Sequence, residues 1–338
     1  MKKITDRFEY QGRSIAYEIY EPEGEVRAVV QVSHGMCEYV GRYADYASHL
    51  CSLGIVLAGN DHPGHGNTAE SDADLGYFAK EGGVELTVGA LCEMSEILSV
   101  RYPEKPLILL GHSMGSFLAR LYLSSHSENL AAAIIMGTGG PEAPTGAGIA
   151  LANLIALFRG DRYRSKLLKS IASSGYLKRC GKNADPSDWL SRDGELVSRY
   201  NADRFCNYTF TVSGYRDLFT MLHEVSTEEW AKSVPTDLPI LLISGEDDPV
   251  GAYGRGVAAV AGALTHAGAR KLTTVIIPGA RHEVLNETDR EDTYAIIDKW
   301  MEEEVLLKNG AVKSEEGEAD TRADDGFECF GTASEFEI

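Results

Sequence analysis

LILLGHSMGS, residues 107–116, runs from four apolar side chains into a serine held between two glycines. The apolar run has the composition of a buried strand, and FLARLYLSS (117–125) has the spacing of a helix. Gly111-His112-Ser113-Met114-Gly115 is therefore G-x-S-x-G at a strand-turn-helix junction. The glycines allow a turn so tight that Ser113 sits strained at the carboxyl edge of a sheet, its hydroxyl near the positive end of the helix. The bland alternative is an ordinary connecting turn, and the strand before and helix after favour a nucleophile.

The same rhythm recurs on both sides of this junction. AVVQVSH (28–34), IVLAGND (55–61) and PLILLGHS (106–113) are near-continuous apolar strands, as expected where both faces of a sheet are covered. GRYADYASHLCSLG (41–54) and VELTVGALCEMSEILSVRYP (84–103) fit helices between them. RFEYQGRSIAYEIYEP (7–22) alternates about Gln11-Gly12 and predicts a hairpin at the sheet edge. AAAIIMGTGG (131–140) predicts a further strand, after which the rhythm stops. It resumes with PILLISGEDD (239–248), KLTTVIIPGARH (271–282) and a last amphipathic helix ending near Leu307. The expected architecture is a mostly parallel, doubly wound α/β sheet formed by residues 1–137 and 236–307, with a helical cap inserted at 138–235. Residues 308–338 carry nine acids against three bases and few large apolar side chains, the composition of a disordered tail.

A serine hydroxyl needs a base, and the base needs an orienting group. Of nine histidines, His34, His62 and His65 precede the serine in glycine-rich loops, and His112 lies in the turn, read as directed away from the nucleophile. His49, His126, His223 and His266 fall in helical or cap segments. His282 follows the apolar strand TTVIIPGA and reaches the sheet edge that carries Ser113, so it is the best base. Glu246-Asp247-Asp248 follows the strand PILLIS, and Asp248 is the expected partner of His282; any of the three acids could instead cap the next helix. The order Ser, Asp, His is that of α/β-hydrolases. For the developing oxyanion, the expected donors are the amides of Met114, at the helix start, and Met36, behind Ser33-His34-Gly35.

Composition narrows the partners. A net charge of −19 over 338 residues disfavours nucleic acid. Six cysteines (Cys37, Cys51, Cys92, Cys180, Cys206, Cys329) lack CxxC spacing, which argues against a zinc site or a disulfide scaffold. MKKITDRFEYQGR does not read as a secretory signal, and no apolar run approaches the roughly 20 residues of a spanning helix. The expectation is a soluble, cytoplasmic chain without cofactor or metal; its oligomeric state is open.

With these motifs in place, the chain resembles the capped α/β-hydrolases that include monoacylglycerol lipases, lysophospholipase-like enzymes and serine aminopeptidases. The resemblance covers roughly residues 10–305 and rests on SHGMCEYVGRYADYASHL, NDHPGHGNT, GHSMGS, GEDDPV and GARHEVLNE. It departs from the common form at Cys37 and Tyr39, where glycine and histidine usually stand. It implies a metal-free structural turn at Asp61-His62-Pro63-Gly64-His65-Gly66, although an acid and two histidines lie close together there. It also implies an esterase acting on a monoacylglycerol or lysophospholipid. A serine aminopeptidase is the nearest alternative and would need cap acids such as Glu142, Asp188, Asp193 or Glu224 for the substrate's ammonium. A non-catalytic receptor on this fold would not need the whole Ser-Asp-His set.

One cap segment stands out. GAGIALANLIALF (146–158) has Asn153 as its only strongly polar side chain, and eight basic residues against a single acid, Asp161, follow between Arg159 and Lys182. Such a pair suits a reversible interfacial anchor, peripheral to a membrane. A helix buried in the cap or in a dimer contact is the alternative.

Overall fold

The computed structural model describes residues 1–141 and 144–307. The acidic stretch 308–338 and Glu142, one of the acids considered for an ammonium site, lie outside the described residues.

Eight strands form one sheet: β1 (Lys2–Tyr10), β2 (Arg13–Glu21), β3 (Ala28–Ser33), β4 (Ile55–Asn60), β5 (Leu107–His112), β6 (Ala132–Met136), β7 (Ile240–Gly245) and β8 (Leu272–Ile277). Their order is β1-β2-β4-β3-β5-β6-β7-β8. The β1-β2 hairpin is antiparallel, and β2 joins β4 antiparallel; β3 to β8 are parallel. Gln11 and Gly12 both take positive φ, 47° and 73°, as a two-residue hairpin turn of the twist-matched kind requires.

The helices are α1 (Ala44–Ser52), α2 (Gly83–Arg101), α3 (Met114–Ser125), α4 (Thr145–Arg159), α5 (Lys166–Ala172), α6 (Gly194–Ala202), α7 (Val212–Glu224), α8 (Glu228–Ser233), α9 (Arg255–His266) and α10 (Arg290–Met301). Alternate strand residues feed two cores, one on each face. Leu107, Leu109, Ala133, Ile135, Ile240 and Leu242 pack with Leu91, Met94, Leu118, Val257 and Val260 of α2, α3 and α9. Ile108, Leu110, Ile134, Leu241 and Ile243 pack with Ala47, Leu50, Ile297 and Trp300 of α1 and α10. Burial on both faces is why the strands read as unbroken apolar runs.

Between β6 and β7 the chain leaves the sheet and builds α4 to α8. Four of these helices start on side-chain caps: Ser165, Asp193, Thr211 and Thr227. The buried Arg120 of α3 fastens both ends of this excursion, donating to Gly139 O at 2.9 Å and to Val225 O and stacking 4.2 Å from the Trp230 ring. Burial lowers its guanidinium to about 9.

From β3 the chain passes first to β4 on one side and later to β5 on the other. The crevice for a ligand in an open α/β sheet lies at such a reversal, outside the carboxyl ends of the strands. Ser33 pairs with Gly111 across β3 and β5, so His34-Gly35-Met36 and Ser113 leave the sheet side by side.

Candidate active site

Ser113 links β5 to α3 at φ 54° and ψ −121°, a conformation that costs a non-glycine residue about 1–3 kcal/mol. The turn is anchored by Ser113 N donating to Met136 O at 3.0 Å and Ser116 N donating to Ser113 O at 2.9 Å. Both flanking glycines are required by close approach. A Cβ on Gly115 would stand 1.9 Å from Ser33 O, and one on Gly111 would stand 2.5 Å from the Ala119 Cβ.

His282 and Asp248 come together from the loops after β8 and β7. His282 Nδ1 lies 2.9 Å from Asp248 Oδ1. A carboxylate can only accept, so Nδ1 carries the hydrogen and Nε2 keeps its lone pair. That Nε2 is buried with no hydrogen-bond partner among the described residues. Asp248 is fully buried and also accepts from Ser244 Oγ and from Val250 N, each at 2.9 Å. Burial alone would raise its carboxyl, but the His282 ring and these donors hold it below the ordinary carboxylate value. Asp247, by contrast, turns outward and pairs with Arg179 at 2.7 Å. Among the described residues, no hydrogen bond joins Ser113 to His282.

The His112 side chain packs against His282 and a buried acid. Its ring centroid lies 4.8 Å from that of His282, and its Nδ1 lies 2.9 Å from Glu38 Oε1. Glu38 is a buried carboxylate that the sequence reading passed over. Glu38 accepts from Gly35 N, from Tyr43 Oη at 3.1 Å and from Arg42 Nη1 at 3.0 Å. Arg42 also grips Glu283 with two bonds of 2.8 and 2.9 Å. Burial lowers His112, but Glu38 outweighs it and the imidazole stands above its ordinary value. Glu38 and Glu283 are held below theirs against the pull of burial, Glu38 chiefly by His112 and Glu283 chiefly by Arg42. The His282 ring also meets the Trp189 indole, 4.9 Å between centroids.

The loop carrying Met36 lies against the serine: a Cβ on Gly35 would stand 3.0 Å from the Ser113 Cβ. Cys37 adopts φ 56°, the conformation a glycine would take, and its thiol donates to Tyr208 O at 3.2 Å. Tyr39 donates to Asp203 Oδ2 at 2.8 Å. Met114 is the first residue of α3, where amides have no intrahelical acceptor.

The Asp61-to-Gly66 turn braces this loop. Asp61 accepts from Val40 N at 2.9 Å and Asn67 N at 2.7 Å, and His62 N donates to His34 Nε2 at 2.9 Å. Burial holds the His34 and His65 imidazoles down to about 4 and about 3, so they are neutral near pH 7. Of the described acids considered for an ammonium site, Asp193 caps α6 and Asp188 accepts from Asp185 N at 2.9 Å. Glu224 is pushed up by burial.

A serine on a strand-turn-helix junction, set at the reversal point of a mostly parallel eight-stranded sheet with an acid and a histidine behind later strands, defines an α/β-hydrolase. The chain belongs to the serine aminopeptidase S33 family, whose model matches residues 24–289, and it is a hydrolase of the esterase and lipase type. It is 26% identical to the monoacylglycerol lipase of Mycolicibacterium smegmatis over 296 residues, 86% of this chain and 93% of that one. It is 27% identical to the monoglyceride lipase of Rattus norvegicus over 70% of each chain. Its fold superimposes with a TM-score of 0.84 on a thermostable carboxyl esterase from Bacillus coagulans, at 29% identity over 90% of this chain and 100% of that one.

Proposed function

We propose that the protein is a serine hydrolase that cleaves single-chain lipid esters, monoacylglycerol or lysophospholipid, through an acyl-enzyme. The observation that carries this reading is the buried Asp248–His282 pair, whose Nε2 is left unpartnered at the sheet edge where Ser113 is held in its strained turn. His282 Nε2 takes the Ser113 proton as Oγ attacks the ester carbonyl, and Asp248 stabilises the imidazolium. The Met36 and Met114 amides receive the oxyanion. The tetrahedral intermediate expels the alcohol, which takes its proton from His282. Water, activated by the same imidazole, then releases the fatty acid and restores Ser113. No step calls for a cofactor. Residues 138–235 act as a cap over the core of 1–137 and 236–307, and the lipase relatives support a lipid ester as substrate.

A labelled fluorophosphonate followed by a substrate panel tests this. Ser113 should be the labelled residue. Medium- to long-chain monoacylglycerol or lysophospholipid should be hydrolysed faster than triacylglycerol or a proline amide. Preferential cleavage of aminoacyl-naphthylamides would transfer the assignment to an aminopeptidase.

The surface of the excursion supports a second element of this reading, reversible docking on an anionic lipid surface. Helix α4 buries Thr145, Gly148 and Ala152, packs Ile149, Leu151 and Ile155 half-buried against the core, and turns Leu154, Leu157 and Phe158 outward at 54%, 77% and 75% exposure. Leu167, Ile171 and Leu177 continue the exposed apolar surface, with exposed Lys166, Lys169, Lys178 and Lys182 around it. Apolar insertion beside positive charge, in a chain of net −19, fits anionic headgroups over an apolar layer. Among the described residues no helix is long and apolar enough to cross a membrane.

A further inference from the structure

The loop that carries His282 is bound to one short segment of the excursion, Asp188 to Asp193, largely through main-chain groups. His282 N donates to Trp189 O at 3.3 Å, and Glu283 N to Leu190 O at 2.7 Å. Arg281 Nη1 donates to Ser191 O at 3.0 Å and to Asp188 O, and Ser191 Oγ donates to Asn286 O at 2.8 Å. The buried carboxylate of Glu287 closes the clasp, accepting from Arg281 N at 2.7 Å, Arg192 N at 3.1 Å and Arg192 Nε at 2.9 Å. These bonds fix where residue 189 stands without using its side chain.

What the clasp delivers is an indole over the imidazole. The Trp189 and His282 rings are tilted by 38° at a centroid separation of 4.9 Å, and the Tyr176 ring backs the indole at 4.5 Å. The His282 ring also meets His112, 4.8 Å between centroids, and a Cβ on Gly137 would stand 3.0 Å from its Cε1. An aromatic face attracts a cation far more than a neutral ring. Within the reaction, the imidazole becomes a cation when it takes the serine's proton.

We propose that Trp189 is a positioning residue for the base: its indole holds the His282 ring in plane for Ser113 and favours the imidazolium formed as the serine attacks. The inference rests on the reading of His282 as that base. Other groups facing His282 are Asp248 after β7, His112 at the end of β5 with Glu38 behind it, and Tyr176 behind the indole. Glu283 is next in the chain but is turned to Arg42. The bonds that hold Asp248, His112, Glu38 and Glu283 do not involve the Trp189 side chain.

Hydrolysis of p-nitrophenyl butyrate by wild type, Trp189→Leu and Trp189→Phe tests the proposal. Trp189→Leu keeps apolar cover but removes the π face, so kcat should fall about tenfold while KM changes less than about threefold. Its acidic limb of kcat/KM should move to lower pH by about half a unit to one unit, because the imidazolium loses a favourable neighbour. Trp189→Phe should recover most of both changes. A second readout needs no change at position 189: in the wild type, tryptophan emission, which a neighbouring imidazolium quenches, should rise with pH at the midpoint of the acidic limb. That rise should vanish in His282→Gln. An unshifted limb in Trp189→Leu, a phenylalanine variant no better than leucine, or a flat emission profile in the wild type overturns the proposal. If Ser113→Ala still hydrolyses the ester and takes the fluorophosphonate label, it is the underlying catalytic reading that fails.

Discussion

Asp247 and Asp248 are adjacent in sequence and opposite in surroundings. The first is partly exposed and held by Arg179; the second is buried under three donors that include the His282 ring. Substitution should separate them. Ser113→Ala and His282→Ala should each lose at least about a thousandfold in kcat with the fold retained, and Asp248→Asn nearly as much. Asp247→Asn should lose far less; if it is the more damaging change, the assignment of the acid is wrong. The positions of Ser113, Asp248 and His282 behind β5, β7 and β8 were legible because each follows an apolar strand, and strand ends are the positions a sequence marks best. Glu38, Arg42 and Glu283 were not, because Glu38 and Glu283 are brought together by the fold across 245 positions. The one local signal was the i, i+4 spacing of Glu38 and Arg42 in an otherwise apolar, aromatic stretch. Trp189 gave no signal, since an indole in a polar turn looks the same whether it faces solvent or an imidazole.

Strands β3 to β7 were legible because burial on both faces leaves continuous apolar runs, and the Gln11-Gly12 turn announced the hairpin. How α4 to α8 pack was not, since an amphipathic pattern tells that a helix has a buried side and not which neighbour covers it. The contact of α7 with α2 shows the difference. It buries Asp217 with one oxygen unpartnered, and a Cβ on Gly83 would stand 2.0 Å from that oxygen. Burial pushes the carboxyl up from 3.8 to about 7, with Glu85 adding to the rise and Arg216 opposing it. A folded value above the unfolded one means the folded state holds the proton better, so this group's contribution fades as pH rises from 3.8 to about 7. Asparagine carries no such proton. The stability of Asp217→Asn relative to wild type should therefore improve by about 2–4 kcal/mol between about pH 4 and about pH 8 in urea unfolding. A relative stability that is flat or declining over that interval would mean the carboxylate is ionised and paired in the fold.

Across the molecule, exposed apolar surface is unevenly distributed. Of ten large apolar side chains that are exposed among the described residues, six lie between Leu154 and Leu177, on the most basic part of an acidic chain. Vesicle co-sedimentation reads the consequence. The protein should bind phosphatidylglycerol vesicles at low salt and release as ionic strength shortens the Debye length below about 10 Å. Leu154→Glu and Leu157→Glu should weaken binding while p-nitrophenyl butyrate is still hydrolysed. A wild-type protein that stays in the supernatant at low salt has no such docking surface.

The neighbouring strands β6 and β7 are separated by the whole excursion. Pairing them means closing a loop of about 100 residues, longer than any that separates paired strands among β3 to β6. During synthesis at about 5–20 residues per second, Ser113 therefore leaves the ribosome roughly 10–30 s before His282. A nascent chain can finish the turn around Ser113 and still hold an inert alcohol. Asp248 and His282 arrive only with β7 and β8, so the cluster around Ser113 assembles after the whole excursion has been made.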